Sequence, residues 1–276
     1  MKRILVVEDD RATRYLLTST LKGAGYHVTA AGDGLLALRR LRKETFDLVL
    51  LDVWMPRLNG LELLAKMREE GHTAKAVVMT SDDTPETLLH AVRQQAWQYL
   101  SKPVQPKELL HLLENALSSA PVLPIEVLSA IPDWVELLLP CDRITAERIQ
   151  GFVARLDAGL PEDVRDSIGL VFHEMLMNAI EWGGKLDPNR KVRISFIRTR
   201  RSLMYRIADP GSGFKFADLS HAAVNYPMGE GAQSASVRQE KGIRPGGFGI
   251  LMARSMVDEL IYNEVHNEVL FLKYLD

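Results

Sequence analysis

Five short strand-like runs, four apolar and one alternating, each followed by a helical pattern, confine the first 120 residues to one class of fold. The runs are RILVV (3–7), YHVTA (26–30), DLVLL (47–51), AVVM (76–79) and WQYL (97–100). Between and after them, apolar residues recur at helical spacing near 11–22, 34–43, 59–69, 85–95 and 105–117. Gly23, Gly25, Gly32, Gly60 and Gly71 mark turns. Strands alternating with helices predict a parallel, doubly wound five-stranded sheet.

Chemistry sits at the strand ends. Glu8 and Asp9 follow the first run, Asp52 the third, Thr80 and Ser81 the fourth, and Lys102 the fifth. In an open α/β sheet, ligands bind beyond the carboxyl ends of the strands, so these side chains converge. Three close carboxylates repel unless a cation joins them, and hard oxygens suit Mg²⁺. A lysine ammonium there would neutralise a transferred phosphoryl group.

The motifs VVEDD (6–10), LLDVWMP (50–56), MTSDD (79–83) and YLSKP (99–103) resemble those of bacterial response-regulator receiver domains. The resemblance covers about residues 1–120 and implies a flavodoxin-like α/β fold. It implies Asp52 as phosphoacceptor, with Mg²⁺ held by Glu8, Asp9, Asp52 and the backbone carbonyl of Trp54. Thr80 would turn toward the phosphoryl oxygen, Lys102 would pair with it, and Tyr99 would be the switch aromatic. A sensor histidine kinase would be the phosphodonor. Taken alone, an Asp after a strand is most often a turn or cap. Asp10, Asp82 and Asp83 are read as caps or surface, and Tyr99 by itself as a half-buried strand aromatic.

Two prolines and two serines in SSAPVLP (118–124) fit a boundary. The division expected is a first domain over 1–120, a linker over 121–133 and a second domain over 134–276. Because 125–139 is apolar, the linker is expected to be short and partly docked. WVELLL (134–139) predicts a strand and 143–156 an amphipathic helix. A second helix opens at Leu160-Pro161 with acids in its first turn and closes at Gly183-Gly184. On it, Glu174, Asn178 and Glu181 stand at i, i+4 and i+7 and share one face. A carboxylate and an amide on one stripe can coordinate Mg²⁺ and orient a nucleophile. A solvated polar face is the plainer reading of that helix alone.

Downstream, 191–200 and 202–210 predict paired strands, the second ending in DPGSGF (209–214). Gly211 and Gly213 would let backbone pass under a planar base. Asp209 could accept a hydrogen bond from an adenine amino group. The weakly periodic segment 215–245 is expected to be a functional lid or a disordered loop. RPGGFG (244–249) precedes a helix over 250–259, and a glycine loop there presents N–H groups to phosphates. IYNEV and EVLFLKYL predict two closing strands.

This order of boxes resembles the Bergerat-fold ATPases and, within them, the anti-sigma-factor serine kinases, over about residues 130–276. The resemblance implies an α+β sandwich that binds Mg²⁺ and ATP, with Asn178 as metal ligand and Glu174 as general base. Asp209 would read adenine. Gly211, Gly213, Arg244, Gly246, Gly247 and Gly249 would complete the pocket. The implied partner is an anti-sigma-antagonist-like or sigma-factor-like protein. The chain departs from the pattern at Trp182, where many relatives carry His, and at His266-Asn267-Glu268, where relatives commonly carry a Gly-Thr pair. Trp182 reads as a packed aromatic, and His173 and His111 as structural or surface histidines.

Composition removes other classes. Net charge is -2, so no broad basic surface for nucleic acid is implied. No apolar run approaches the roughly 18 residues of a membrane span. MKRILVVEDD turns acidic at once, unlike a secretory signal. The lone Cys141, read as an inert packed thiol, fits a reducing cytoplasm. A histidine kinase is disfavoured because no long heptad hairpin with a phosphoacceptor His precedes the ATP boxes. A DNA-binding regulator is disfavoured because no residues remain for a helix-turn-helix domain. Two functions survive: a receiver-controlled serine/threonine protein kinase, and a nucleotide-binding partner switch without catalysis. A homodimer is left open.

Overall fold

The computed structural model describes residues 1–81, 84–120, 123–156, 159–215 and 249–275. The chain divides into two compact units, Met1–Val122 and Leu123–Asp276.

The first unit carries β1 (Arg3–Val7), α1 (Arg11–Gly23), β2 (His27–Ala31), α2 (Gly34–Leu41), β3 (Leu48–Asp52), α3 (Gly60–Glu69), β4 (Lys75–Thr80), α4 (Pro85–Arg93), β5 (Gln98–Ser101) and α5 (Pro106–Ser118). Its five strands are all parallel in the order β2-β1-β3-β4-β5. The order reverses between β1 and β3, which opens a crevice at their carboxyl ends. Ile4, Leu5, Val6 and Val7 are all buried, because a parallel sheet covered on both faces has no wet side. Leu17 and Leu21 of α1 and Leu109 and Leu113 of α5 close one face over Val6, Leu50, Val77 and Leu100. Helix starts follow local chemistry. Asp10 accepts from the Thr13 amide at 2.8 Å and Asp33 from Leu36 at 2.8 Å. Asn59 and Glu62 form a capping box at 2.9 and 3.0 Å. Each such cap stabilises by about 1 kcal/mol. Asp10 is thus a cap, as its sequence context suggests; Asp82 and Asp83 lie outside the described residues.

The second unit is a six-stranded antiparallel sheet with helices. Its elements are β6 (Glu126–Ile131), β7 (Trp134–Pro140), α6 (Arg143–Leu156), α7 (Glu162–Asn178), a π-helical turn (Ala179–Gly183), β8 (Lys191–Arg198), β9 (Ser202–Ala208), α8 (Gly249–Met256), β10 (Glu259–Tyr262) and β11 (Glu268–Tyr274). The strand order is β10-β11-β9-β8-β7-β6. Period-2 burial marks one apolar face: Val135, Leu137 and Leu139 on β7, and Leu203, Tyr205 and Ile207 on β9. Tyr205 stacks on Phe271 at 5.1 Å and lies 4.9 Å from Phe196 and 5.5 Å from Phe172 of α7. This aromatic group joins the sheet to the helical layer. Among the described residues, no helix is long and apolar enough to cross a membrane.

Two expectations need correction. The segment expected as a linker over 121–133 contributes β6, which pairs with β7 from Ile131↔Trp134 through Glu126↔Leu138. Pro132-Asp133 makes a tight turn that lets the backbone groups of 126–131 find partners in the sheet. The last helix ends at Met256 and not at 259, because the Asp258 amide donates to the Leu272 carbonyl at 3.0 Å and draws the chain into β10. The expected lid or disordered loop over 215–245 falls, beyond Lys215, outside the described residues.

Candidate functional site

Each unit gathers one polar site. In the first, β1 delivers Glu8 and Asp9, β3 ends on Asp52, β4 on Thr80, and Lys102 follows β5. Register fixes their convergence. Asp52 lies opposite Met79, and the Lys102 amide donates to the Thr80 carbonyl at 2.8 Å. Ligand oxygens of Glu8, Asp9 and Asp52 lie within 4.8 Å of one another. The Lys102 ammonium stands 2.9 Å from both Glu8 and Asp52. Glu8 and Asp52 are buried, while Asp9 is exposed.

Burial pushes the Glu8 and Asp52 carboxyls up, and Lys102 only partly offsets that. Burial alone would pull the Lys102 ammonium down; its bonds to Glu8 and Asp52 outweigh this and raise it. Three carboxylates against one ammonium leave the cluster net negative. A compact set of hard, negative oxygen donors fits Mg²⁺. Thr80 is fully buried at the strand end. Tyr99 is also fully buried, not half-buried as its sequence alone suggests. The Trp54 amide bonds to the Asp52 carboxylate, and its indole is exposed.

The second site is a cavity of about 720 Å³. A volume of this order suits a drug-sized or nucleotide-sized ligand. Glu174, Asn178, Asp209, Gly211, Gly213 and Gly249 all line it, brought together from α7, the loop after β9 and the start of α8. Glu181 does not join them. The backbone widens at Ala179–Gly183, where the Gly184 amide reaches back five residues to the Ala179 carbonyl at 2.7 Å. That π turn breaks the i, i+7 register, and the Glu181 carboxylate pairs with Arg143 at 3.1 Å. Arg244, Gly246 and Gly247 lie outside the described residues.

Asp209 is the best-defined group in the cavity. Its Oδ1 accepts from the Gly211 amide at 2.7 Å, and burial raises its pKa despite that bond and nearby Arg190. A Cβ built on Gly183 would meet the Asp209 carboxyl at 2.1 Å, so the turn has to be glycine for the acid to lie there. Gly213 has φ +81°, a left-handed conformation, and its Cα faces the Val265 carbonyl of the β10–β11 turn. The Phe214 amide donates to that carbonyl at 3.1 Å.

Some lining residues escape sequence reading. Phe214, Tyr262 and His266 form one aromatic wall, with ring centroids 5.3–5.8 Å apart. Burial pushes the Tyr262 hydroxyl up to about 12. Lys185 and Arg190 also line the cavity, and Arg190 donates to the Pro210 carbonyl. Both bases stand close after Gly183-Gly184, the one signal in the sequence that could mark them. Trp182, expected as a packed aromatic at the helix end, lines the cavity with 40% of its surface exposed. His173 bonds Gln150 at 2.8 Å, a structural contact.

Comparisons with known proteins divide at the same place. Residues 4–114 match the response regulator receiver domain, and 142–273 match the histidine kinase-like ATPase domain. The chain is 35% identical over 144 residues to the DNA-binding response regulator MtrA of Mycolicibacterium paratuberculosis. That match covers 52% of this chain and 63% of the relative, so the chain spans under two thirds of the relative's length. A receiver domain protein from Methanospirillum hungatei is similar at 32% identity over 42% of this chain and 94% of its own, with a TM-score of 0.42. The response regulator TrrA of Thermotoga maritima, solved with Mg²⁺ and BeF, is similar at 33% identity over 42% of this chain and 100% of its own, with a TM-score of 0.40.

Proposed function

We propose, from the match of residues 4–114 to the response regulator receiver domain and of 142–273 to the histidine kinase-like ATPase domain, that phosphorylation of Asp52 controls an ATP-dependent serine/threonine protein kinase. The observation that carries the reading is one cavity lined by Glu174, Asn178, Asp209 and Gly249, which come from three separate segments of the chain.

At the receiver, an Asp52 carboxylate oxygen attacks the phosphorus of a phosphodonor, and the donor's own bond to phosphorus breaks. Glu8, Asp9 and Asp52 would hold Mg²⁺, with the Trp54 carbonyl as a further ligand, and the ion supplies charge neutralisation. The Lys102 ammonium moves from its carboxylate partners to the new phosphoryl oxygens. Thr80 and Tyr99 follow as switch residues. The phosphodonor is a sensor histidine kinase.

In the ATP cavity, Asp209 accepts a hydrogen bond from the adenine amino group. Asn178 would hold the Mg²⁺ of Mg²⁺–ATP, and Gly211, Gly213 and Gly249 border the nucleotide. Glu174 takes the proton from a partner's serine or threonine hydroxyl as that oxygen attacks the γ-phosphorus and ADP leaves. A general base of this kind contributes about 10²–10⁴ in rate. The partner is an anti-sigma-antagonist-like or sigma-factor-like protein.

A second reading is nucleotide-dependent partner switching without phosphotransfer. One observation favours it. The Glu174 carboxylate lies 2.5 Å from where a Cβ on Gly249 would sit, so it packs against the first residue of α8 and has a structural use of its own. Incubation with γ-labelled ATP and candidate antagonist proteins separates the two. Label on the partner that is lost in Glu174→Ala, with ATP binding retained, supports the kinase. No label on any partner alongside nucleotide-dependent complex formation supports the switch. Acetyl phosphate tests the receiver: wild type gains one phosphoryl mass and Asp52→Asn does not. Equal gain in both would reject Asp52 as the acceptor.

A further inference from the structure

The loop that carries Asp209 is fastened to the β10–β11 turn by side chains that no glycine box marks. The Asp209 amide donates to the Asn267 carbonyl at 2.8 Å. The Asn267 side-chain amide donates to the Gly211 carbonyl at 3.1 Å. Its own oxygen accepts from Asn263 Nδ2 at 2.7 Å. Asn263 Oδ1 in turn accepts from the Asn267 and Glu268 amides at 3.1 and 3.3 Å. Glu268 is committed elsewhere, in a two-point pair with Arg206 at 2.7 and 2.8 Å. Asn267 therefore joins both sides of the Asp209–Gly211 turn, by its main chain on one side and its side chain on the other.

That turn decides how Asp209 faces the cavity. The Gly211 amide holds Asp209 Oδ1 at 2.7 Å. Oδ2 makes no hydrogen bond among the described residues and is the oxygen left for a ligand. Fixing the Gly211 carbonyl fixes the orientation of the loop and hence of the amide that holds Oδ1. Resting on the nucleotide reading above, we propose that Asn267 is the positioning residue that aims Asp209 at the base. It sets selection for a purine bearing an amino group where adenine has one. Asn263 fixes the Asn267 amide so that its nitrogen, and not its oxygen, faces Gly211. An aspartate at 267 is nearly isosteric but cannot donate, and it sets a carboxylate against a carbonyl.

The test is calorimetric titration of the full chain with Mg²⁺–ATP and with Mg²⁺–GTP. In Asn267→Asp the ATP dissociation constant rises roughly tenfold, the size of one lost hydrogen bond in a partly buried site, and the GTP constant stays within about twofold. A merely structural role would weaken both nucleotides alike. In an Asp209→Asn background the same change has little further effect, because the two residues act as one unit. Asn267→Ala removes the donor without adding charge and replaces Asn267→Asp if the latter does not fold. If both variants discriminate ATP from GTP as the wild type does, the inference is overturned and the nucleotide reading stands. If the wild type binds neither nucleotide, or both equally, the nucleotide reading falls and this inference falls with it.

Discussion

Gly183→Ala is the sharpest perturbation the cavity offers. The three atoms nearest a new Cβ all belong to Asp209, two of them at 2.1 Å. Ordinary contact begins at 3.4 Å, so the acid would have to retreat by 1.3 Å. Gly184 limits any retreat of the turn itself, since it lies against Cys141, with the thiol 2.3 Å from a Cβ built there. Moving the carboxylate that far breaks its 2.7 Å bond from the Gly211 amide and withdraws it from any base. A hydrogen bond to a charged group is worth about 1.5–3 kcal/mol, so ATP affinity should fall roughly 10- to 150-fold. Overpacking should cost about 1–3 kcal/mol of stability as well. Calorimetry with ATP and GTP, beside urea unfolding, reads both effects. A folded Gly183→Ala protein that binds ATP as tightly as wild type would refute the placement of Asp209 as base reader.

Other outcomes follow from single residues. Gly169 stands inside α7 with nothing within 4 Å of a built Cβ, so Gly169→Ala should stabilise by about 0.5–1 kcal/mol; a lower melting temperature would contradict the helix assignment. Burial pushes the Cys141 thiol up to about 11, so iodoacetamide at pH 8 should label native protein far more slowly than urea-unfolded protein; equal rates would place the thiol at the surface. A folded-state pKa raised above the unfolded value stabilises below the unfolded pKa and is lost as pH rises through the folded one. Relative to Cys141→Ala, wild type should therefore lose up to roughly 2–3 kcal/mol between about pH 9 and 11; parallel pH profiles would contradict this.

Much of the architecture is legible because it rests on periodicity and strand-end chemistry. Runs such as RILVV and DLVLL form buried parallel strands, and Glu8, Asp9, Asp52 and Lys102 meet because such strands end at one edge. The six cavity residues Glu174, Asn178, Asp209, Gly211, Gly213 and Gly249 are marked by glycine and acid boxes of unusual composition. What escapes the sequence has no compositional mark. The π turn at Ala179–Gly183 is a change in hydrogen-bond span, not in residue type, so helical spacing wrongly keeps Glu181 with Glu174 and Asn178. β6 is a half-exposed edge strand with a register shift between Val127 and Ser129, and its alternation is weak. Asn263 and Asn267 read as ordinary turn residues. Their value lies in reaching across to Gly211, a contact between segments more than 50 residues apart.

The central claim is that one chain couples a phosphoaspartate site to an ATP site. Titration of the full chain with Mg²⁺–ATP, with and without beryllofluoride as a phosphoryl mimic at Asp52, tests it most directly. The account predicts saturable ATP binding in both states, with an affinity that differs between them by about 5–150-fold, the usual size of coupling between two sites. No saturable binding in either state, or the same affinity in both, would contradict it.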